Sequence, residues 1–400
     1  MGEFAGRLAA ARAGSHAVID LDAYAGNLRR MRARLPQAAA LMAVVKANAY
    51  GHGLLPIAQT AVEAGADWLG VARIEEGLLL RQAGIETPVL VLGPPNPALL
   101  AQAVAAGLDL AAGSSETVAA IAAAASARQP ARVHLKLDSG MHRYGVEPEG
   151  ATALARTVAG EPRLVLAGLF THFATADEPG GFMAEQIRRF ESARAALAAA
   201  GIAPPLLHYA NSAATLRGAL PAAGAGQTAI VRCGYALYGL SPSAEVPVPP
   251  DFRPVLSLHS RLARVFTLPA GEGVSYGLSF VAERPLRCAT LPLGYGDGLP
   301  RALSNRGWAL VNGAACPIRG RVCMDQLVIE VEDAGEVREG DAAIIYGAEP
   351  GAMTVDDAAA LCGGIGYEIV TALSARLPRV SLRHGQPAAV SDLLGLVTSG

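Results

Sequence analysis

Between residues 15 and 240 the chain alternates short apolar runs with longer segments of helical pattern, and this regular alternation constrains the fold more than any other feature. The runs are nearly continuous in Val, Leu and Ile, as in parallel strands buried on both faces. They lie at Leu41–Lys46, Trp68–Ala72, Val89–Gly93, Leu108–Ala111, Arg132–Leu137, Leu164–Thr171, Leu206–Tyr209 and Ala229–Arg232. Helical segments such as Glu75–Ala83 and Glu185–Ala200 separate them. This repeat predicts a TIM-type (β/α)8 barrel. A doubly wound sheet is the alternative, but no G-x-G-x-x-G follows an early strand.

The pattern changes near residue 242, which indicates a second domain. Five prolines fall within a short stretch, at Pro242, Pro247, Pro249, Pro250 and Pro254. Beyond them, short strand-like runs recur between Gly and Pro, and only Thr354–Cys362 and Gly366–Ala375 have a helical pattern. We therefore predict an α/β barrel over residues 15–245 and an all-β domain over residues 246–400.

Composition and net charge limit the cellular location and the partners that we expect for the chain. Residues 1–14 have neither a basic start nor a long apolar core, so we predict a flexible extension and not a signal peptide. A net charge of −2 predicts no nucleic-acid partner, and no clean apolar stretch is long enough to span a membrane. The five cysteines form no C-x-x-C pair, which favours a reducing cytoplasm and predicts neither disulfides nor a metal site.

Only two of the 33 basic side chains are lysines, Lys46 and Lys136, and the others are arginines. Arginine stays charged, whereas a desolvated lysine amine can lose its proton and attack a carbonyl. Each lysine follows or ends a predicted barrel strand. Both are therefore candidates for chemistry that arginine cannot perform.

Other polar residues also follow the predicted strands, at the end of a barrel where active sites lie. They are Arg143 after the fifth strand, His172 after the sixth, Asn211 and Ser212 after the seventh, and Arg232, Gly234 and Tyr235 at the eighth. The last two loops of such barrels often bind phosphate. An amine on the first strand and a phosphate site on the last two would suit pyridoxal 5′-phosphate (PLP), a phosphorylated aldehyde.

Eight ordered motifs then connect the chain to a family. They are AVVKANAYGHG, DSGMHRYG, THFATADE, ANSAATLR, EGVSYG, PLGYGDG, GRVCMDQ and YEIVTALSARLPRV. Over about His16 to Leu382 the chain resembles the alanine racemases, PLP enzymes that interconvert L- and D-alanine. The resemblance implies that the chain is an isomerase, that PLP is its cofactor, and that two copies form a homodimer with shared sites.

The resemblance also implies roles for individual residues. Lys46 would hold the cofactor aldehyde and act as one catalytic base, and Tyr276 of a partner subunit would act as the other. Around the cofactor would lie Tyr50, His172, Asn211, Ser212, Arg232, Gly234, Tyr235 and Tyr367, with Arg232 at the pyridine nitrogen. Arg143, Tyr295, Met324 and Asp325 would contact the substrate, and Lys136 would be carbamylated to hold Arg143.

The sequence can be compared with several alternative functions. A barrel-type PLP decarboxylase would have a carboxylate at the ring nitrogen, where this chain has Arg232. A PLP-binding homeostasis protein would be a single barrel, without the domain that carries Tyr276. A racemase of broader specificity that accepts serine is compatible with every motif. A role in peptidoglycan synthesis and one in alanine catabolism are equally compatible.

Overall fold

The computed structural model describes residues 2–399, which form two compact units. The barrel unit comprises residues 25–49 and 57–252, and the β unit comprises the other described residues. Residues 1 and 400, at the outer ends of the predicted extension and β-domain, lie outside the described range.

The barrel unit confirms the predicted (β/α)8 fold. Strand β1 (His16–Asp20) belongs to the β unit, and the closed barrel then follows as β2 (Ala40–Val44), β3 (Trp68–Val71), β4 (Val89–Val91), β5 (Asp109–Ala112), β6 (Ala131–Lys136), β7 (Leu164–Phe170), β8 (Leu206–His208) and β9 (Thr228–Cys233). All pairings are parallel, and β2 closes the barrel against β9 with Ala43 opposite Cys233. The strand interiors are almost wholly buried, which explains why continuous apolar runs predicted them.

Helices cover the barrel strands and recur near both chain ends. They are α1 (Gly2–Ala13), α2 (Leu21–Ala33), α3 (Leu54–Glu63), α4 (Ile74–Gln82), α5 (Leu100–Ala105), α6 (Ser115–Ala124), α7 (Ala151–Gly160), α8 (Phe182–Ala199), α9 (Ser212–Leu216), α10 (Val355–Cys362) and α11 (Gly366–Thr371). Short 3-10 helices span Pro97–Leu99, Pro148–Gly150, Tyr235–Tyr238, Tyr276–Leu278, Tyr295–Asp297, Arg301–Leu303 and Glu332–Ala334. None of the helices in residues 2–399 is long and apolar enough to cross a lipid bilayer.

The β unit is built on one long sheet. Its remaining strands are β10 (Leu256–Arg261), β11 (Arg264–Leu268), β12 (Gly273–Val274), β13 (Phe280–Val281), β14 (Leu286–Leu291), β15 (Trp308–Val311), β16 (Ala314–Arg319), β17 (Leu327–Glu330), β18 (Ala342–Tyr346), β19 (Arg379–Arg383), β20 (Gln386–Asp392) and β21 (Gly395–Thr398). The sheet order is β11-β14-β17-β16-β15-β18-β10-β1-β19-β20-β21, and β12 pairs separately with β13.

The domain limits differ from the prediction at three places, one of which is the segment of residues 50–56 that belongs to the β unit. Strand β1 pairs with β10 and β19, so residues 16–20 belong to the β unit and not to the barrel. The second boundary lies between Phe252 and Arg253. Because β1 and its partners are separated by more than 200 residues, a local pattern cannot reveal their pairing.

Residues 2–13 form helix α1 and not the predicted flexible extension. Phe4, Leu8 and Ala11 lie on one face and pack against Val380 and Val390 of the terminal strands. On the same helix, Nε of Arg7 donates to Asp392 at 3.0 Å. The helix is thus held by contacts with residues almost 400 positions away, which explains why its Ala-rich sequence alone suggested fraying.

Candidate active site

Lys46 begins a left-handed turn directly after strand β2. The turn spans Lys46–Tyr50, and φ is 54° at Ala47, 54° at Asn48, 53° at Ala49 and 52° at Tyr50. Each L-residue in this conformation costs about 1–2 kcal/mol relative to a right-handed turn. Such strain concentrates at functional sites, where the surrounding structure enforces it.

Glu76 of helix α4 supplies part of that enforcement. Its Oε1 accepts the backbone N–H of Ala47 at 2.6 Å. Its Oε2 accepts the backbone N–H groups of Ala72 and Arg73 at 2.8 and 3.1 Å. One carboxylate therefore ties the turn that carries Lys46 to the loop after β3.

The amine of Lys46 lies in a partly buried, positively charged environment. Burial is the largest cause lowering its pKa, and the positive charge of Arg143 is the next. Glu76 opposes the shift, and Arg232 adds to it. A lowered pKa increases the fraction of neutral amine, which is the form that reacts with carbonyls and accepts protons.

Arg232 on β9 is buried and held by several acceptors. Its Nη2 donates to the carbonyl of Thr171 at 2.7 Å and to Nδ1 of His172 at 3.2 Å, while its Nη1 donates to Nδ1 of His208 at 3.1 Å. Because a guanidinium can only donate, both imidazoles must present a lone pair on Nδ1 and are neutral. Burial first, and Arg232 second, hold the pKa values of His172 and His208 well below the usual histidine range.

Lys136 ends β6 and is buried. Burial is the main cause that lowers its pKa to about 7, followed by the charge of Arg232. Its Nζ lies 5.2 Å from the centre of the Phe170 ring, and Cζ of Arg232 lies 5.5 Å from the same centre. Both distances are within the range of cation–π attraction, which acts on Lys136 only in its charged form.

The loop after β6 is ordered by Asp138. Oδ1 accepts the backbone N–H groups of Gly140, Met141 and His142 at 3.0, 2.9 and 2.9 Å, and Oδ2 accepts that of Arg143 at 3.1 Å. Burial alone would raise the pKa of Asp138, but these backbone donors together lower it. The ionised carboxylate thus fixes the loop that presents Arg143.

The predicted phosphate residues meet after β8 and β9. Ser212 Oγ accepts the backbone N–H of Gly234 at 3.0 Å and that of Ala236 at 3.4 Å. With its lone pairs engaged, the hydroxyl has its proton to donate. Asn211 caps α9 through Oδ1, which accepts the Ala214 N–H at 2.9 Å, and the Tyr235 side chain is buried.

The remaining predicted residues belong to the β unit. Tyr276 is 70% exposed and lines an open groove of about 620 Å³ with Ser275, Gly277, Leu278, Cys323, Met324, Asp325 and Gln326. Ser275 has φ 65°, an unusual conformation for a non-glycine residue, and its Oγ donates to the Arg321 carbonyl at 2.6 Å. The Tyr276 groove therefore rests on a strained but anchored backbone.

The other predicted site residues of the β unit make contacts within that unit or are exposed. Arg376 bridges Asp297 and Asp325, with N–O distances of 2.8 and 2.7 Å. Tyr50 and Tyr367 have ring centres 6.2 Å apart. Tyr295 and Met324 are exposed, at 42% and 52%.

Comparison with known proteins identifies the family. Residues 19–242 match the family "Alanine racemase, N-terminal domain", and residues 255–381 match "Alanine racemase, C-terminal domain". The chain belongs to the alanine racemase family. The alanine racemase of Symbiobacterium thermophilum is 43% identical over 91% of this chain and 96% of its own, and that of Geobacillus stearothermophilus is 40% identical over 95% and 96%.

Solved structures of alanine racemases have the same fold. That from Streptomyces lavendulae has a TM-score of 0.84 and is 40% identical, with coverage of 92% of this chain and 97% of its own. That from Bacillus anthracis with bound L-Ala-P has a TM-score of 0.87 and is 36% identical, with coverage of 95% and 98%.

The alanine racemase motifs did not reveal every polar residue inside this barrel. Asp109, His134 and His208 lie within β5, β6 and β8 and are buried, and Glu76 anchors the lysine turn. The first three interrupt otherwise apolar strands, which is an unusual position for groups that need hydrogen-bond partners. A polar residue within an apolar strand was therefore the sequence signal that could have identified these three residues.

Proposed function

We propose that this chain interconverts L-alanine and D-alanine with PLP as cofactor. The observation that carries the proposal is the presence in one barrel of Lys46, whose pKa burial lowers, and of a buried guanidinium, Arg232. A guanidinium cannot take up a proton from the pyridine nitrogen, so Arg232 would leave the cofactor a weaker electron sink than a carboxylate would. Arginine at the ring nitrogen would therefore favour proton exchange at Cα over transamination or decarboxylation.

The donor set of the barrel unit fits PLP. Lys46 offers an amine for the aldehyde, and Arg232 offers donors for an unprotonated ring nitrogen. Ser212 offers its O–H group to a phosphate, and the backbone N–H groups of Gly234 and Ala236 hold its oxygen in place. Asn211 and the backbone of Tyr235 would complete that loop. When bound, PLP would supply an electron sink that acidifies the Cα–H bond of an amino acid.

Tyr50 and Tyr367 are proposed as further contacts to the cofactor phosphate. Their ring centres lie 6.2 Å apart within the β unit. A tyrosine hydroxyl donates a hydrogen bond to phosphate without adding charge.

Two bases on opposite faces would move the proton without rotating the substrate. Lys46 would serve the D-alanine face, and Tyr276 of a partner subunit would serve the L-alanine face. The high exposure of Tyr276 supports this role, because an accessible phenol is available to a second copy of the chain. A phenol needs nearby positive charge to act as a base near neutral pH. Arg232 would provide that charge, since His172 accepts from it and is neutral.

The substrate carboxylate would be bound by Arg143. Lys136 is proposed to carry a carbamate that holds Arg143, and its pKa of about 7 supports this, because carbamylation requires a neutral amine. Tyr295, Met324 and Asp325 would line the entrance. The Arg376–Asp325 ion pair would keep that carboxylate away from an anionic substrate.

Labelling and exchange experiments test the proposal. Borohydride should fix PLP to Lys46, and because the chain has only two lysines, Lys136→Met is a matched control that should still be labelled. In deuterium oxide, L-alanine should exchange its α-proton while its optical rotation falls to zero. Exchange without racemisation, or labelling at Lys136, would contradict the proposal.

The same assay with L-serine tests the second candidate, a racemase of broader specificity. Met324 and Tyr295, the residues proposed to line the entrance, are both exposed, which is compatible with a hydroxymethyl side chain on the substrate. Serine turnover comparable with that of alanine would favour this candidate. We further propose a cytoplasmic location, which the five free cysteines support.

A further inference from the structure

A chain of buried polar groups runs through the interior of the barrel, where apolar layers are usual. His134 Nε2 lies 3.0 Å from Asp109 Oδ2, and His134 Nδ1 lies 2.9 Å from His208 Nε2. His208 Nδ1 in turn accepts from Arg232 at 3.1 Å. Asp109, the two imidazoles and Arg232 each have 4% exposure or less. Asp109 starts β5, and Arg232 lies near the end of β9, so the chain of groups runs along the barrel toward the proposed active site.

The two ends of this chain, a guanidinium that only donates and a carboxylate that only accepts, together set the direction of the hydrogen bonds between them. Arg232 can only donate, so His208 must accept on Nδ1 and carry its proton on Nε2. That proton points at His134 Nδ1, which must accept, so His134 carries its proton on Nε2. The Nε2–H of His134 points at Asp109, which must accept as a carboxylate. Each group has one allowed state.

Neighbouring residues restrict the positions of the two imidazole rings and of the Asp109 carboxylate. A Cβ on Gly168 would lie 2.4 Å from Nδ1 of His134, so only glycine leaves space for that ring. Phe170 stacks on His208 with ring centres 4.6 Å apart and planes inclined by 6°. At the far end, Nε of Arg132 donates to both oxygens of Asp109, at 3.0 and 3.1 Å.

We propose that Asp109 is a positioning residue for Arg232 and acts through His134 and His208. By accepting from His134 it selects the Nε2–H tautomer of both rings, so that His208 presents a lone pair to the guanidinium. A buried polar network is costly unless every member is satisfied, and an apolar barrel core would need none of it. The orientation of Arg232 is what such a network provides. The proposal rests on the proposed function only for its effect on turnover.

Solid-state nitrogen NMR on histidine-labelled holoenzyme at neutral pH reads the tautomers directly. A correlation between the two rings identifies the His134–His208 pair, and both rings are expected as neutral Nε2–H forms. Asp109→Leu leaves the buried Nε2–H of His134 without an acceptor. This should favour the other His134 tautomer and weaken the bond between His208 and Arg232, so mixed tautomers should appear in both rings. Its kcat for alanine racemisation should fall by about tenfold to hundredfold with little change in KM, since small misplacements of site groups cost on this order.

Asp109→Asn is the conservative variant and should rescue both readouts. Its amide oxygen can accept from His134, and the fixed direction of the chain disfavours the flipped amide. If Asp109→Leu does not fold, Gly168→Ala displaces His134 without altering Asp109 and should reproduce the loss.

Two results would overturn the proposal. One is a wild-type His134 or His208 that is protonated on Nδ1. The other is an Asp109→Leu enzyme with mixed tautomers and unchanged kcat. Wild-type protein with the expected tautomers but no racemase activity would instead refute the proposed function, and with it the positioning role, while the network itself would stand.

Discussion

Nη2 of Arg232 donates to Nδ1 of His172 across 3.2 Å, so the positive charge of this pair resides on the arginine. An imidazole that accepts from a guanidinium on Nδ1 is neutral. Arg232 is therefore the residue whose charge matters.

Replacing Arg232 by glutamate tests this assignment. Arg232→Glu should lower the racemisation rate by about a hundredfold or more, since it removes a preorganised donor from the site. It should also raise the pKa of His172, because an anion replaces a cation beside it. A carboxylate at the cofactor nitrogen should increase side transamination, measured as pyruvate released per D-alanine formed. Arg232→Lys keeps the charge and serves as control, and an unchanged product ratio in the glutamate variant would contradict the assignment.

Lys136 should bind carbon dioxide in a pH-dependent manner. Its pKa of about 7 means that the neutral amine fraction rises as pH increases through that value, so carbamylation should rise over the same interval. Carbon NMR with labelled bicarbonate should detect one carbamate, absent in Lys136→Met. Activity of carbon dioxide-depleted enzyme should recover on addition of bicarbonate only when Lys136 is present. A protein that stays unlabelled above this pH would exclude the modification.

Glu76 should stabilise the turn that carries Lys46. Glu76→Gln retains one acceptor oxygen and directs an NH2 group at a backbone donor, so the free energy of unfolding should fall by about 1 kcal/mol. The pKa of Lys46 should fall further, because Glu76 now raises it. The neighbouring Glu75 is exposed, which makes Glu75→Gln a matched control in urea denaturation. Equal free energies of unfolding for the two variants would contradict this role of Glu76.

Local pattern predicted the barrel strands to within two residues, because their apolar runs end at Gly, Pro or polar positions. It could not predict features that depend on distant partners. Helix α1 needs Val380 and Val390, and β1 needs β10 and β19. The same holds inside the barrel, where His134 of β6 and His208 of β8 meet although β7 separates their strands in the sheet. Motif resemblance supplied the candidate residues but neither their protonation states nor their hydrogen-bond directions.

Tyr276→Phe should leave the fold and PLP binding intact, because the side chain is 70% exposed. Racemisation should be nearly lost, and α-proton exchange should fall more with L-alanine than with D-alanine. Mixing this variant with Lys46→Ala should restore part of the activity, since one site of a mixed dimer has both bases. Absence of recovery despite demonstrated subunit exchange would refute the shared site, and full activity of Tyr276→Phe would refute the second base.

The left-handed turn after β2 has a consequence for protein synthesis by chemical ligation. At Ala47 the backbone adopts angles that are favourable for a D-amino acid, and the side chain is exposed. A semisynthetic chain with D-alanine at this position should unfold at a higher temperature than the natural chain. Branched L-residues there should have the opposite effect. In the segment that carries Lys46, the handedness of the backbone, and not the chemistry of the side chains, therefore limits which residues can be substituted.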